Sequence, residues 1–194
     1  MTEASRHALI THLRELIPLA DADGTRAAAY FTEERVPRRA VLLHAGRPVR
    51  YCYFVVSGLL KLVYTDTAGN QHTVSFAAEQ WWESDFGAYF GRGPAAFSLR
   101  ALEETTVLRL SLDDYWALCA EVPALERFML HKAHAGFIGA QRRILSLLTS
   151  SAAERYTQLL DRQPDLLQRV SKTQLAAYLG VSRETLSRLP RRGK

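Results

Sequence analysis

The sequence predicts an α+β protein with an N-terminal antiparallel β-roll, a long helix and a helical C-terminal module that contains a helix-turn-helix. Three observations predict this fold: short β-rich runs between turn residues in residues 36–111, an apolar repeat of helical spacing in residues 123–148, and two short helices around a glycine after residue 171. The predicted domains are the roll with a short N-terminal helix (residues 1–122), the long helix (residues 123–148) and the helix-turn-helix module (residues 149–194).

Six β-rich runs make up the predicted roll. A short amphipathic helix over about residues 3–17 precedes them, because apolar residues recur there at helical spacing with charges between them. Turn formers such as Gly46 and Gly58 separate the runs. The predicted strands are residues 41–43, 51–56, 59–65, 72–76, 97–102 and 106–110. Several short strands at this spacing are typical of an antiparallel barrel or roll.

The pattern turns helical from Leu112, and the long helix that follows carries an apolar seam. Pro123 can occupy its first turn, and the helix is expected to run to about Leu148. Six seam residues are spaced 3, 4, 3, 4 and 3 apart: Leu130, Ala133, Phe137, Ala140, Ile144 and Leu147. This a/d pattern is typical of paired helices and predicts a homodimer interface. A second stripe through Leu125, Phe128 and Ile138 lies on a different face, so one stripe can pack on the roll while the other meets a partner helix. The alternative is one helix packed within its own chain.

The C-terminal module begins with a helix over residues 152–163 and continues into the helix-turn-helix. Ser171 is expected to cap the first helix of the pair, with Gln174 completing a capping box. Gly180 suits the left-handed turn between the helices, and Ser182 can cap the second one. The inward-facing residues are Leu175, Ala176, Leu179, Val181, Leu186 and Leu189. The alternative is a small helical hairpin with a charged exposed face.

The first turn of the second helix carries side chains that suit DNA reading. A recognition helix presents its N-terminal residues to base edges in the major groove. Arg pairs with guanine O6 and N7, and Glu accepts from cytosine N4. The predicted base-reading residues are Arg183, Glu184 and Arg188. The predicted backbone contacts are Lys172, Thr173, Ser182, Thr185, Arg191 and Arg192.

Positive charge is concentrated in the same part of the chain. Residues 141–194 hold 11 Lys and Arg against 4 Asp and Glu, whereas the other 140 residues hold 14 against 16. The net charge of +5 therefore belongs to the C-terminal part. Because phosphate neutralisation supplies much of DNA affinity, this distribution favours DNA as the ligand.

Composition excludes several classes of protein. No apolar run approaches the length that spans a bilayer, and no signal peptide pattern opens the chain, so a cytoplasmic protein is expected. Two cysteines, Cys52 and Cys119, are too few for a disulfide framework or a four-thiolate iron–sulfur cluster. We find no G-x-S-x-G, P-loop or H-E-x-x-H motif, and no H-x-H pair of a cupin-like metal enzyme, so catalysis is not expected.

A β-roll, a long helix and the terminal run LGVSRETLSR (residues 179–188) together resemble the Crp/Fnr family of bacterial transcription regulators. The resemblance covers nearly the whole chain and implies a cyclic-nucleotide-binding-like roll joined to a DNA-binding domain. It implies dimers formed through the long helix that bind two-fold symmetric DNA, with a signal at the roll reorienting the reading domains. An activator of this type would also contact RNA polymerase.

The roll departs from the phosphate cassette of cyclic-nucleotide binders in that family. Asp85-Phe86 stands where the cassette has Gly-Glu, and Ala95 stands where it has the phosphate-binding Arg. Cyclic nucleotide binding is therefore not expected, since Asp85 would also repel a phosphate. A small-molecule sensor remains the alternative, with a possible pocket formed by Trp82, Glu83, Tyr89 and Arg92. Four histidines leave ligands available for a haem: His44, His72, His131 and His134.

The end of the chain also departs from a winged helix. Pro190 directly follows Leu189 and cannot continue donating to the helix, and only residues 191–194 follow it. These residues are too few for a two-stranded wing, so we expect a wingless module or a truncated chain. The tail is expected to touch DNA phosphates.

Overall fold

The computed structural model describes residues 1–189 as a β-roll flanked by helices, a long helix and a helical C-terminal module. The N-terminal helices are α1 (Glu3–Arg14) and α2 (Asp21–Ala29). The strands are β1 (Thr32–Val36), β2 (Val41–Leu43), β3 (Tyr51–Ser57), β4 (Leu60–Thr65), β5 (Gln71–Ala77), β6 (Trp82–Glu83), β7 (Ser98–Ala101) and β8 (Thr105–Ser111). The helices after β6 are α3 (Phe86–Gly91), α4 (Leu112–Glu121), α5 (Ala124–Thr149), α6 (Ala152–Arg162), α7 (Leu166–Arg169), α8 (Lys172–Leu179) and α9 (Arg183–Arg188).

Two four-stranded antiparallel sheets face each other in the roll, in the orders β1-β8-β3-β6 and β2-β7-β4-β5. Alternation along β3 assigns its side chains to two faces. Tyr53 points between the sheets, where its hydroxyl donates to the Leu42 carbonyl at 3.4 Å. Phe54 points outward to the helices, and its ring lies 5.1 Å from His12 of α1 and 5.3 Å from Trp82. The core is therefore continuous from the roll interior to the helices outside the first sheet.

Gly58 permits a close approach between β3 and β8. Its φ is +100°, a conformation that residues with a Cβ rarely adopt, and an added Cβ would lie 2.6 Å from the Thr105 Cα. The Thr105 hydroxyl accepts a hydrogen bond from the Leu59 amide at 3.2 Å, so this corner of the roll is tightly packed.

The buried apolar contact between helix α5 and the roll lies at the beginning of the helix. Leu125 and Phe128 are fully buried, as the second apolar stripe predicts, but Ile138 is 44% exposed. Ile138 is therefore not buried together with the other two residues of its stripe. Ile138 joins the exposed apolar side of α5, although further along the helix Arg143 still donates to the Thr73 carbonyl of β5 at 3.0 Å.

The predicted elements are found with small shifts at their ends, and five further elements were not predicted. Helix α1 ends at Arg14, before the predicted residue 17. The unpredicted elements are α2, β1, β6, α3 and α7. Within residues 1–189, no helix is both long and apolar enough to cross a membrane.

Candidate nucleic-acid interface

Local hydrogen bonds define the beginning and end of α8. The Ser171 hydroxyl accepts from the Gln174 amide at 3.3 Å, and the Gln174 side chain accepts from the Ser171 amide at 3.0 Å, which completes the predicted capping box. The helix ends at Gly180, whose φ of +68° gives the left-handed turn. The residues between these caps therefore form two turns of helix.

Helix α9 leaves that turn with its own cap and a buried anchor. Ser182 accepts from the Thr185 amide at 3.1 Å, and Leu186 is buried. Leu175, Ala176 and Leu179 of α8 are also buried and pack in the same cluster as Leu186. The pair of helices is thus fixed by an apolar contact, with the small Ala176 in the cluster.

The predicted base-reading side chains all lie on the exposed side of α9. Arg183, Glu184 and Arg188 are exposed, and within the described part of the chain neither arginine forms an ion pair. Hydrogen bonds from its own backbone amide and from Ser182 lower the pKa of Glu184, so it is a carboxylate at neutral pH. Two guanidinium donors and one carboxylate acceptor can therefore meet base edges.

The predicted backbone-contacting residues surround them. Lys172 and Thr173 at the beginning of α8, and Ser182 and Thr185 at the beginning of α9, are exposed. Arg191, Arg192 and the predicted wingless tail lie outside the described residues.

The predicted dimer seam on α5 is exposed in the single chain. The exposed fractions are 55% for Leu130, 63% for Phe137, 58% for Ile144 and 44% for Leu147, and Ala133 and Ala140 are also exposed. Ile138, Leu145 and Leu148 widen this apolar surface, with 44%, 60% and 78% of each residue exposed. Nothing in residues 1–189 covers it.

In the roll, Asp85 occupies the backbone donors of the cassette region. One carboxylate oxygen accepts from the Ala88 amide of α3 at 3.1 Å. The other accepts from the Ala96 amide at 2.7 Å and the Phe97 amide at 3.3 Å. Asp85 itself is buried. A carboxylate of the chain thus already satisfies three amides that could otherwise bind an anion, a role that its sequence position did not reveal.

The four residues of the predicted ligand pocket do not come together, so the prediction of a shared pocket is wrong. Trp82 and Glu83 are neighbours on β6 and face opposite sides of the sheet, Trp82 toward Phe128 and Glu83 toward Ser75 at 2.5 Å. The Tyr89 hydroxyl donates to a core carbonyl at 3.2 Å, and the exposed Arg92 pairs with an acid on α4 at 2.6 Å. Burial raises the pKa of Glu83 to about 7.

The side chains that could bind a metal or a haem do not form a cluster within the described residues. No group of three or more His, Cys, Asp or Glu residues that could hold a metal ion occurs in residues 1–189. The histidines available for a haem are all exposed: His44 and His72 lie at different places in the roll, and His131 and His134 lie three residues apart on α5. Burial raises the pKa of Cys52 to about 12 and that of Cys119 to about 11, so both are neutral thiols.

Comparisons with known proteins agree with the architecture. The sequence profile of the cyclic nucleotide-binding domain family matches residues 33–122. The cyclic AMP receptor protein of Thermus thermophilus is 26% identical over 181 residues, which cover 88% of this chain and 81% of the relative. These matches support the resemblance of the chain to the Crp/Fnr regulators.

Solved structures share the fold of this chain. The c-di-GMP responsive global regulator CLP of Xanthomonas campestris superposes with a TM-score of 0.71 at 17% identity, covering 87% of this chain and 89% of that one. FixK2 of Bradyrhizobium japonicum superposes with a TM-score of 0.70 at 20% identity, covering 81% of both chains. The roll, the long helix and the C-terminal helices are therefore arranged as in these two proteins.

Proposed function

We propose that the protein is a homodimeric transcription regulator that binds DNA sequence-specifically through α9. The observation that carries the proposal is the exposed row of Arg183, Glu184 and Arg188 on a helix that is capped at its N-terminus and anchored by the buried Leu186. Such a helix places donors and an acceptor where base edges would meet them. The similar CLP protein is a c-di-GMP responsive global regulator, which supports the same class of function.

The proposed division of labour follows the three predicted parts. Residues 1–122 receive a signal, residues 123–148 hold two copies together, and residues 149–194 read DNA. The exposed apolar surface of α5 supports the second role, because a seam centred on Phe137 and Ile144 would be covered by the same helix of a second copy. Each copy would then present one α9 to one half-site. No catalytic step is proposed, and the DNA ligand implies a cytoplasmic protein.

The proposed signal is not cyclic AMP or cyclic GMP. The Asp85 carboxylate takes the three amide donors of the cassette region, and Ala95 supplies no cation for a cyclic phosphate. A cyclic phosphate placed there would lose these donors and meet a like charge. The name of the Thermus relative, cyclic AMP receptor protein, favours the opposite candidate, a cyclic-nucleotide-controlled regulator. Titration calorimetry with the two nucleotides separates the candidates.

The experiment that tests the main proposal is selection of bound sequences from random double-stranded DNA. The expected result is a two-fold symmetric site with half-sites about 10 base pairs apart, centre to centre, or a multiple of that spacing. Enrichment of no sequence over the starting pool would refute sequence-specific binding. If the selected site activates transcription in a reporter, RNA polymerase is the expected further partner.

A further inference from the structure

Two cations stand directly opposite each other on the outer face of the second sheet, β2-β7-β4-β5. Lys61 on β4 is the Cα partner of Arg100 on β7, so both side chains leave the sheet on the same side. Directly opposite residues of an antiparallel pair have Cβ atoms about 5 Å apart, and like charges in that position destabilise the sheet. Strand pairing alone therefore leaves an electrostatic cost at this position.

Lys61 is buried, with only 8% of the residue exposed. Its second strand partner is Phe76 of β5, whose ring lies 5.2 Å from that of Tyr178 on α8, so the C-terminal module covers this side of Lys61. Arg100 on the other side is exposed. The Lys61 amine is not among the fully buried unpartnered atoms of residues 1–189, so it reaches solvent. The pair thus has a covered apolar wall and an open edge that a solute can reach.

No carboxylate of the described residues balances the two cations. Neither Lys61 nor Arg100 forms an ion pair or a side-chain hydrogen bond within residues 1–189. Glu79 and Glu103, two acids of the roll, are paired with Arg169 of α7. Burial lowers the pKa of Lys61, and the charge of Arg100 lowers it further. A buried cation without a counter-charge costs free energy, which an anion between the two side chains would offset.

We propose that Lys61 and Arg100 bind a phosphate group, either inorganic phosphate or the phosphate monoester of a small metabolite. Arg presents a planar fork that donates two hydrogen bonds to phosphate oxygens, and Lys supplies a compact point charge. A phosphate between them replaces like-charge repulsion by two charge-assisted contacts. Because Arg100 is exposed, the ester oxygen can face solvent, where the remainder of a metabolite has room.

The first test compares thermal unfolding in sodium phosphate and in sodium chloride of equal ionic strength. A ligand that binds the folded state, at about ten times its dissociation constant, should raise the Tm of a chain of this size by about 3–6 °C. Lys61→Met and Arg100→Gln should lose this rise, and Lys61→Arg, which keeps the charge, should retain part of it. An equal rise in wild type and in both charge-removing variants would overturn the site.

The matched control for Arg100→Gln is Arg50→Gln. Arg50 is also an exposed arginine of the roll without an ion pair in residues 1–189, and it directly precedes β3 of the first sheet. Its substitution changes the net charge equally and leaves Lys61 and its neighbours intact. Arg50→Gln should keep the full rise with phosphate, and its loss in both variants would reduce the effect to net charge.

The second test examines Lys61→Met in chloride alone. Methionine keeps an unbranched side chain but removes the ammonium, so the variant no longer buries an uncompensated charge. Its Tm in chloride should equal or exceed that of wild type. A lower Tm would show that the Lys61 ammonium is already satisfied without phosphate, which contradicts the proposal.

The third test identifies the occupant by titration calorimetry with inorganic phosphate and with glucose 6-phosphate. One site per chain, absent from Lys61→Met, is expected. Tighter binding of the ester indicates a phosphorylated metabolite, tighter binding of inorganic phosphate indicates the free ion, and equal affinity shows that the phosphate group alone is recognised. Binding of neither probe, or binding that Lys61→Met leaves unchanged, would overturn the proposal. DNA takes no part in these measurements, so their outcome is independent of sequence-specific DNA binding.

Discussion

Aspartate in place of Phe137 and Ile144 is expected to convert the proposed dimer to monomers. The two residues are 63% and 58% exposed in the single chain, so a partner helix would bury more than half of each. Full burial of such a side chain is worth about 1.5–3 kcal/mol, so partial burial contributes about 1–2 kcal/mol each. Because a two-fold interface contains both residues twice, the lost burial amounts to about 4–8 kcal/mol.

That loss corresponds to a dissociation constant weaker by about a thousandfold or more, because each 1.4 kcal/mol is about tenfold. Unpaired carboxylates within the seam add a further cost. Sedimentation velocity at micromolar concentration should therefore show a dimer for wild type and a monomer for Phe137→Asp/Ile144→Asp.

Ala135→Asp is the control for this prediction. Ala135 is exposed and lies two residues before Phe137, about 160° around the helix from it, so it tests the helix cost of aspartate without entering the seam. Its variant should stay dimeric. A dimer that survives the double substitution, or one that Ala135→Asp also dissociates, would refute the assignment of the seam.

Three further predictions concern the ligand, the DNA contacts and the roll interior. Calorimetry should detect no binding of cyclic AMP or cyclic GMP, and a micromolar or tighter dissociation constant would contradict the role given to Asp85. Arg183→Ala should cost about 1–3 kcal/mol at the selected site and relax preference at one base pair, whereas Lys172→Ala should weaken all sequences alike and reduce the salt slope by about one unit. Equal loss on specific and random DNA for Arg183→Ala would make Arg183 a phosphate contact. Burial raises the pKa of Glu83 to about 7, so the folded state holds a proton that the unfolded state releases near pH 4.5. Stability should therefore fall by about 3 kcal/mol as the pH rises through that window, and urea unfolding of Glu83→Gln should lack this fall. The same slope in both proteins would show that another group causes it.

The helix-turn-helix could be predicted closely because its signals are local. Its caps, Ser171 with Gln174 and Ser182 with Thr185, join residues three apart, and Gly180 alone permits the turn. The seam of α5 is likewise a repeat along one helix, so the face that its residues share follows from their spacing. In both cases the interacting residues are neighbours in the sequence.

The missed elements have weak local signals. Strand β1 reads TEERV and shows no apolar alternation, yet it pairs along its whole length with β8, more than 65 residues away. Helix α3 reads FGAYFG, with two glycines that disfavour a helix, and its beginning depends on the Asp85 cap. The conformation of these two segments therefore depends on long-range strand pairing and on helix capping. Their intrinsic secondary-structure propensities do not predict it.

By itself the sequence determined the order of the roll, the long helix and the helix-turn-helix, the capped helix that begins with Arg183 and Glu184, and the presence of Ala95 in place of a cassette arginine. These follow from residue identity and short-range periodicity. Only the tertiary structure decided that Asp85 fills the roll's own amide donors, that Glu83 and Tyr89 are internal partners with no shared pocket, and that Arg169 holds the module against Glu79 and Glu103. Arg169 lies 90 and 66 residues from these acids. Ion pairs between residues so far apart in the sequence depend on how the chain packs. From the sequence alone, each arginine could pair with any of many carboxylates.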